Sequence, residues 1–399
     1  MNILFLTLVE ISSVEERGIY QDLLRKFRDE GHCVTIISPV ERRRKIPSNL
    51  KNENGVNILQ VRTLNIQKTN IIEKGIGTLL IEWQFLRGVR RFLSDIKFDL
   101  VLYSTPPVTF ANVISFVKKR DGAKSYLLLK DIFPQNAVDM NLMKKGSLIH
   151  RFFQKKEKQL YRISDRIGCM SPANVQFLLR HNSDLSSGKV EENPNTIEPI
   201  SINYSDSEKQ SIRKKYGIPA DKTVFIYGGN LGKPQGLDFL LETISATNNS
   251  RAFFLIVGDG TEYSKVENWF KNHQPNNAAL LNKLPKDDYD RLLASADVGL
   301  IFLHKDFLIP NFPSRLLSYL EMEMPVISAT DPNTDIGDII EEAACGFKVL
   351  AGNQQQMQQA IEKLLSSDLK KMGKNGRKLL EERYTVGKSY RLISDFMAE

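Results

Sequence analysis

Cysteine is scarce in this sequence, with three residues in 399, Cys33, Cys169 and Cys345, far apart along the chain. That scarcity excludes a disulfide scaffold and their separation excludes a cysteine-based zinc site, so we expect buried reduced thiols and a reducing compartment. The five histidines are equally dispersed. We therefore predict neither a catalytic metal nor any other bound cofactor.

Long apolar runs are also absent. No stretch reaches the roughly 18 consecutive apolar residues that identify a membrane-spanning helix. The amino terminus has no basic region before its short apolar run, which predicts a first strand and not a signal peptide. Together these features predict a cytoplasmic protein, with peripheral attachment to the inner face of the cell membrane as an alternative.

The composition is typical of a folded protein, 41% hydrophobic and 26% charged. A chain of 399 residues exceeds the size at which one hydrophobic core usually stops growing, which predicts two domains. The net charge of +8 suits nucleic acid, an anionic membrane surface or a nucleoside diphosphate. Because no zinc-finger spacing and no aromatic RNA-binding motif occurs, we expect no nucleic-acid partner.

Short apolar runs alternate with helical patterns in both halves of the chain, and a polar, proline-containing segment separates the two series. This alternation predicts the α/β class, with two Rossmann-like, doubly wound domains of mostly parallel strands. We expect domains at residues 1–195 and 221–384, a linker region at 196–220, and a helix at 385–399 that completes the first domain. Residues 353–399 predict consecutive helices with no strand between them.

A glycine-rich loop follows the strand expected at 223–227. It contains Gly228, Gly229, Gly232 and Gly236, and a helical pattern begins directly after it. Free backbone amides at a helix amino terminus bind anions, and glycines let the backbone approach a diphosphate closely. Lys233 adds a mobile cation that could neutralise a departing nucleotide. The alternative is a tight strand-to-helix turn with no ligand.

A second turn lies at residues 310–319. Pro313 and Ser314 predict a helix start, so the amides of Ser314 and Arg315 would face a second phosphate. The Arg315 guanidinium could bind that phosphate through two hydrogen bonds. Simple helix capping is the alternative.

In the first half, Asp131 follows the strand expected at 124–129, at the sheet edge where open α/β sheets bind ligands. It could orient or deprotonate an acceptor hydroxyl, or it could cap the turn that follows.

Residues 74–93 predict an amphipathic helix. Ile76, Leu79, Leu80, Trp83 and Leu86 recur at helical spacing, and three arginines at 87, 90 and 91 cluster on a neighbouring face. This pattern suits a helix lying in a membrane interface, or a core-facing helix with a solvated basic side.

The order of these motifs resembles glycosyltransferase family 4, particularly members that build bacterial surface polysaccharides on lipid carriers. The resemblance covers nearly the whole chain and rests on six stretches: 31–37, 131–134, 228–236, 255–260, 296–298 and 312–335. It implies the GT-B fold, with two domains facing a central cleft. It also implies a retaining transfer from a nucleotide-sugar donor as co-substrate, without a metal ion.

The same resemblance implies a UDP-sugar donor, N-acetylated or deoxy, and a polyprenyl-diphosphate or lipid-linked glycan acceptor in capsule, O-antigen or exopolysaccharide synthesis. A GT-B sugar-nucleotide epimerase and a non-catalytic sugar-nucleotide-binding subunit stay open as alternatives. Arg17 and Gly18 would border the acceptor, with Asp131 and Lys233 as the catalytic pair. Donor binding would fall to Gly229, Asn230, Gly232, Lys233, Gly258, Leu284, Phe312, Ser314, Arg315, Ser318 and Glu321.

The sequence departs from the family at four positions. Pro310 and Ser318 stand where many members carry two glutamates eight residues apart, so Ser318 or Glu321 would have to bind the ribose. Asn230 and Gln235 stand where arginine and lysine are common. We expect Lys233 to have taken over their charge.

Overall fold

The computed structural model describes residues 1–66, 71–201 and 204–399. The chain divides into two compact units, residues 1–198 with 386–399, and residues 199–385. Each unit contains one sheet, of eight and six strands respectively, with helices packed on it. The predicted class, α/β with two mostly parallel sheets and C-terminal helices, is confirmed.

The strands are β1 (Asn2–Leu6), β2 (Cys33–Glu41), β3 (Asn49–Glu53), β4 (Val56–Thr63), β5 (Leu100–Ser104), β6 (Lys124–Leu129), β7 (Arg166–Cys169), β8 (Val190–Glu192), β9 (Thr223–Asn230), β10 (Ala252–Asp259), β11 (Ala278–Asn282), β12 (Val298–Phe302), β13 (Val326–Thr330) and β14 (Gly346–Leu350). The helices are α1 (Ile19–Asp29), α2 (Ile71–Phe92), α3 (Ala111–Asp121), α4 (Gln135–Asp139), α5 (Leu148–Ile163), α6 (Pro172–His181), α7 (Asp206–Lys215), α8 (Leu237–Ala246), α9 (Tyr263–His273), α10 (Lys286–Ala294), α11 (Arg315–Glu321), α12 (Ile336–Glu342), α13 (Gln354–Leu365), α14 (Leu369–Arg383) and α15 (Val386–Ala398).

The sheet of the first unit has the order β3-β4-β2-β1-β5-β6-β7-β8. All pairs are parallel except β3 with β4, which form an antiparallel hairpin. The order reverses between β1 and β5, which makes the carboxyl ends of these strands the topological switch point of the unit. Helix α15 also packs on the first unit, since Ile393 and Phe396 join the core formed by β1, β2 and α1.

The sheet of the second unit has the order β11-β10-β9-β12-β13-β14 and is entirely parallel. Its central strands are buried on both faces, as their continuous apolar sequences favour. The order reverses between β9 and β12. The switch point of this unit therefore lies at the carboxyl end of β9, where the glycine-rich loop begins.

Two features of the fold were not expected from the sequence. The hairpin of β3 and β4 turns at Asn54 and Gly55, both with positive φ. Within the expected linker region 196–220, residues 206–215 form α7, which begins with a capping box between Ser205 and Glu208. Ile202 and Asn203 of that region lie outside the described residues.

The expectation that all three cysteines are buried is wrong for Cys33. It is exposed because it is the first residue of β2, at the end of the sheet, whereas Cys169 and Cys345 are buried.

Helix α2 packs on the first unit through Ile81, Phe85 and Val89, which are fully buried. The apolar residues that the sequence pattern singled out lie on its other side: Ile76, Leu79, Leu80 and Trp83 are exposed, and Leu86 is half-buried. A core-facing role for this stripe is therefore wrong. Among the described residues, no helix is long and apolar enough to cross a membrane.

Candidate functional site

The glycine-rich loop shares one edge of the second sheet with two neighbouring strand ends. Gly229 is paired with Gly258, and Gly258 with Asn282, so β9, β10 and β11 end in register. Gly229 and Asn230 are exposed at this edge. The sequence predictions at 228–236, 258 and 284 are thus brought together by parallel pairing alone.

Close packing requires several of the glycines. A Cβ at Gly228 would lie 1.8 Å from the Tyr289 hydroxyl, and one at Gly258 would lie 2.0 Å from the Gly229 carbonyl oxygen. Gly236 has φ of 58° and ends the short 3-10 turn formed by residues 233–235. A Cβ there would meet the Leu303 carbonyl at 2.8 Å. The loop is therefore held between β10, α10 and the end of β12.

Arg315, at the start of α11, reaches this loop. Its Nη2 donates to Gln235 Oε1 at 2.8 Å, and its guanidinium lies over the Tyr227 ring at 4.4 Å from the ring centre. A Cβ at Gly229 would lie 3.6 Å from Nη2, so the guanidinium occupies the space beside that glycine. Its Nη1 is buried and has no hydrogen-bond partner. A buried cationic donor without an acceptor is unfavourable, and an anion bound at the loop would satisfy it.

Three tyrosines surround Arg315. Tyr227 donates its hydroxyl to the Asn230 carbonyl at 2.9 Å, which fixes the start of the loop. The Tyr319 hydroxyl lies 3.1 Å from the Leu300 carbonyl and 3.4 Å from the Gly228 N–H. Burial raises the pKa of Tyr319 to about 12 and also raises those of Tyr227 and Tyr289. At neutral pH these three are therefore neutral, and none can serve as the counter-ion of Arg315.

Arg213, in the same unit, shows what a structural arginine looks like here. It is buried, and its Nε donates to the Ser295 carbonyl at 2.8 Å. Nη1 donates to the Lys222 carbonyl at 3.1 Å, and Nη2 pairs with Asp297 at 2.7 Å. Every nitrogen of Arg213 has a partner, whereas Arg315 retains one without.

The other predicted loop residues lie around this cation. Lys233 is exposed, on the 3-10 turn that also carries Gln235. A Cβ at Gly232 would meet the Asn230 side chain at 2.8 Å, so these two residues pack on each other. Gln235 occupies a position where family members often have lysine, and here it orients Arg315 instead.

The second turn is less uniform than the sequence predicted. Ser314 is exposed and precedes α11 without a side-chain cap. Phe312 is buried with its ring 5.4 Å from that of Tyr384, so its side chain contributes to the core. Ser318 is half-buried, and the buried Glu321 accepts the Ile200 N–H at 2.9 Å through Oε1. The residues that would bind the ribose stay a prediction.

Leu284 is half-buried just after β11, at the same sheet edge. His304, shortly after the end of β12, donates its backbone N–H to the Pro234 carbonyl at 2.9 Å. Its ring accepts the Asp306 N–H at 3.2 Å, so the histidine is occupied within its own loop.

In the first unit, Asp131 lies beyond the carboxyl end of β6. The Asn136 amide donates to both of its carboxylate oxygens, at 2.8 and 2.7 Å, and the Thr105 hydroxyl accepts its N–H. Burial raises the pKa of Asp131 to about 6, against the opposing effect of Asn136. A carboxyl with this pKa is largely ionised at pH 7 and can still accept a proton, as a general base must.

Arg17 and Gly18 lie beside the chain's exit from the first unit. Arg17 donates to the Glu198 carbonyl at 3.4 Å, and Gly18 N–H donates to Asp22 Oδ1 at 3.2 Å. Asp22 also accepts the Glu198 N–H at 3.0 Å. Both predicted acceptor residues thus belong to a network that fixes residue 198.

The sequence motifs did not reveal two residues near these sites. Tyr289 had no signal, because it lies about 60 residues from the loop that it contacts. Lys130, next to Asp131, is half-buried. Desolvation lowers its pKa to about 7, and its Nζ lies 3.4 Å from the Asn193 carbonyl. Its position beside a candidate acid could have drawn attention to it. Across the ranges that the structure describes, no group of three His, Cys, Asp or Glu side chains could hold a metal ion.

Comparison with known proteins finds a family model that matches most of the second unit. Residues 208–379 match the family model described as glycosyl transferases group 1. The chain is 24% identical over 324 residues to WbjE of Pseudomonas aeruginosa, described as a probable glycosyltransferase, covering 80% of this chain and 78% of that protein. It is also 24% identical over 255 residues to a protein of Escherichia coli strain K12 named as the colanic acid biosynthesis glycosyl transferase WcaI. That second match covers 61% of this chain and 60% of the relative.

Among solved structures, HepE from Anabaena in complex with UDP-glucose superposes with a TM-score of 0.70 at 15% identity. The match covers 100% of this chain and 99% of HepE. At that identity the likeness establishes the fold.

Proposed function

This chain is a glycosyltransferase of group 1 with the GT-B fold, and from that premise we propose that it transfers a sugar from UDP to a lipid-linked acceptor in surface-polysaccharide synthesis. The donor binds the second unit, at the glycine-rich loop. The acceptor, a polyprenyl diphosphate or a lipid-linked glycan, binds the first unit near Asp131. Transfer retains the anomeric configuration.

The observation that carries the donor site is the buried Arg315 Nη1, which has no partner beside a loop of closely packed glycines. A diphosphate supplies the acceptor oxygen that this nitrogen lacks. Exposed backbone at Gly229 and Asn230 gives the ligand access to the loop. The choice of UDP is supported by HepE, a structural neighbour solved with UDP-glucose.

Leaving-group charge is met by two cations in this proposal. Arg315 is fixed by Gln235 and Tyr227 and binds the diphosphate before and during transfer. Lys233 is exposed on the 3-10 turn and neutralises the charge that develops as the sugar departs. Fixed donors that face developing charge stabilise the transition state without reorganising.

A role in polysaccharide synthesis is supported by a relative whose name refers to colanic acid biosynthesis. Capsule, O-antigen and exopolysaccharide synthesis are the settings we propose, with the chain at the inner face of the membrane. Asp131, with its pKa near 6, would remove the proton from the acceptor hydroxyl.

Lys233→Ala tests the assignment. With UDP-sugars screened against polyprenyl-diphosphate-linked acceptors, we expect the variant to transfer sugar about a hundredfold more slowly than the unaltered protein. Lys370→Ala is the matched control, since Lys370 is an exposed lysine on α14. Equal turnover by all three proteins would exclude the proposed role of Lys233.

A second candidate is a sugar-nucleotide-binding subunit without transferase activity. It is favoured by the absence of acidic residues at positions 310 and 318, and by the engagement of Glu321 with Ile200. This alternative predicts UDP binding with no transfer to any lipid acceptor.

A further inference from the structure

Two helices of the first unit present apolar side chains to solvent. On α2 these are Ile76, Leu79, Leu80 and Trp83, with Trp83 57% exposed. On α5 and in the segment before it they are Leu142, Leu148, Ile149 and Phe152, with Leu148 84% exposed. Single exposed apolar residues need no explanation, but eight on two helices and the segment before one of them do.

The two helices are tied together. Lys156 on α5 pairs with the buried Glu82 on α2 at 3.3 Å, and Glu82 also accepts the Asn112 N–H from α3 at 2.6 Å. Trp83 is the next residue after Glu82, and Phe152 lies one helical turn before Lys156. Each set of exposed apolar residues therefore has a member, Trp83 or Phe152, within about one helical turn of the ion pair. We call the surface they form the α2–α5 face.

The exposed charges of this face have one sign. In residues 76–92 and 142–156, all of which the structure describes, the one acidic side chain is Glu82, and it is buried. Seven exposed cations accompany the apolar residues: Arg87, Arg90, Arg91, Lys144, Lys145, Arg151 and Lys155.

The arginines also shape a hollow beside Trp83. A recess of about 340 Å³ is lined by Trp83, Leu86, Arg87, Arg90 and Arg91. An adjoining one of about 200 Å³ adds Ser48 and Arg62. The Arg87 guanidinium lies 5.6 Å from the centre of the Trp83 ring. An indole beside several guanidinium groups offers an apolar surface next to hydrogen-bond donors that can bind phosphate.

We propose that the α2–α5 face docks on an anionic lipid leaflet, with the apolar residues inserted between headgroups and the arginines bound to lipid phosphates. A protein partner would have to supply a large apolar surface with an acidic rim, whereas an anionic leaflet supplies both everywhere. Apolar insertion and attraction to anionic lipid add to each other in such binding.

Vesicle co-sedimentation tests the docking surface without donor or acceptor, so its outcome is independent of the proposed function. The full chain is mixed with phosphatidylcholine vesicles or with an equimolar mixture of phosphatidylcholine and phosphatidylglycerol. We expect binding to the mixed vesicles, weakened by added salt because surface charges are screened. Equal binding to both vesicle types, or none to either, would contradict the proposal.

Two variants separate the contributions. Arg87→Gln with Arg91→Gln should weaken binding to the mixed vesicles about 25-fold, since each cation near an anionic surface contributes roughly fivefold. Leu79→Ser with Trp83→Ser should weaken it by at least about tenfold. The controls are Lys370→Gln with Lys374→Gln, two exposed cations on α14, and Leu350→Ser, an exposed leucine of the second unit. Controls that bind as weakly as the variants would overturn the assignment to this face.

Fluorescence reports on insertion directly. The chain has two tryptophans, Trp83 and Trp269, so Trp269→Phe leaves Trp83 as the reporter. We expect its emission to shift to the blue when mixed vesicles are added, and an unchanged spectrum would exclude insertion of Trp83. If analytical ultracentrifugation instead shows a dimer that Leu79→Ser with Trp83→Ser dissociates, a second copy covers the face and the proposal is wrong.

Discussion

Replacing Arg315 by methionine should impair nucleotide binding and leave the fold nearly as stable as before. The substitution removes the hydrogen bond to Gln235 and the contact with the Tyr227 ring, each contributing about 1 kcal/mol to stability. It also removes the buried Nη1 without a partner, whose burial costs about 1–3 kcal/mol. These effects nearly cancel. We expect the free energy of unfolding to change by less than about 1 kcal/mol.

The loss in UDP binding should be larger than the change in stability, because methionine does not replace the positive charge of Arg315. A hydrogen bond from a charged donor to phosphate contributes about 1.5–3 kcal/mol. Its loss should raise the Kd for UDP by roughly 10- to 150-fold. Isothermal titration calorimetry measures the affinity, and urea unfolding measures stability.

Arg213→Met is the matched control, because it makes the same substitution at a buried arginine of the same unit. Arg213 loses partners at Ser295, Lys222 and Asp297, so we expect a loss of about 3 kcal/mol in stability. The folded fraction of this variant should bind UDP with unchanged Kd. The reasoning is refuted if Arg315→Met loses as much stability as Arg213→Met and binds UDP with the affinity of the unaltered protein.

Two further predictions concern the half-buried carboxyl of Asp131 and the packed glycines. Asp131→Asn should abolish most transfer, and the rate of the unaltered protein should fall on acidification through about pH 6 as Asp131 becomes protonated. Because the folded-state pKa of Asp131 lies above the ordinary 3.8, its ionisation destabilises the fold as pH rises from about 4 to 6. The free energy of unfolding of Asp131→Asn, relative to that of the unaltered protein, should therefore increase over that window. A difference that stays constant would contradict this prediction. Gly258→Ala should lower stability by about 1–3 kcal/mol, since its Cβ would overlap the Gly229 backbone. Gly75→Ala, where nothing lies within 4 Å of the added Cβ, should raise stability by up to about 1 kcal/mol. Chemical unfolding of both variants measures these changes.

Sequence alone could predict the two series of strands because their apolar runs are buried on both faces. It could not easily reveal β11, whose residues are only half-buried, or β8, which has three residues. The hairpin of β3 and β4 did carry a signal, since Asn54 and Gly55 form a pair typical of tight turns. Polar residues on the exposed β3 obscured the alternation around that pair.

The candidate site likewise has a part that the sequence could predict and a part that it could not. Glycines after a strand and a basic residue at a helix start are local patterns, so Gly229 and Arg315 could be singled out. The partners of Arg315 could not, because contacts with Tyr227 and Gln235 depend on how β9 and α11 pack. Phe312 and Glu321 look like ligand contacts by position, yet folding directs them to Tyr384 and Ile200. Which residues bind ligand stays a prediction until binding is measured.

The tight fit around Gly228 and Gly258 bears on how this protein can change over evolutionary time. Each is constrained by a hydroxyl or carbonyl of the protein itself, so selection for folding alone would preserve it. A descendant that lost its chemistry would keep the same glycine pattern and would still be recognised as a relative. Arg315 is constrained differently, since its buried nitrogen without a partner destabilises the fold when no ligand is bound. If Arg315 binds the donor diphosphate as proposed, substitution at that position would be the earlier sign that a lineage had stopped binding nucleotide.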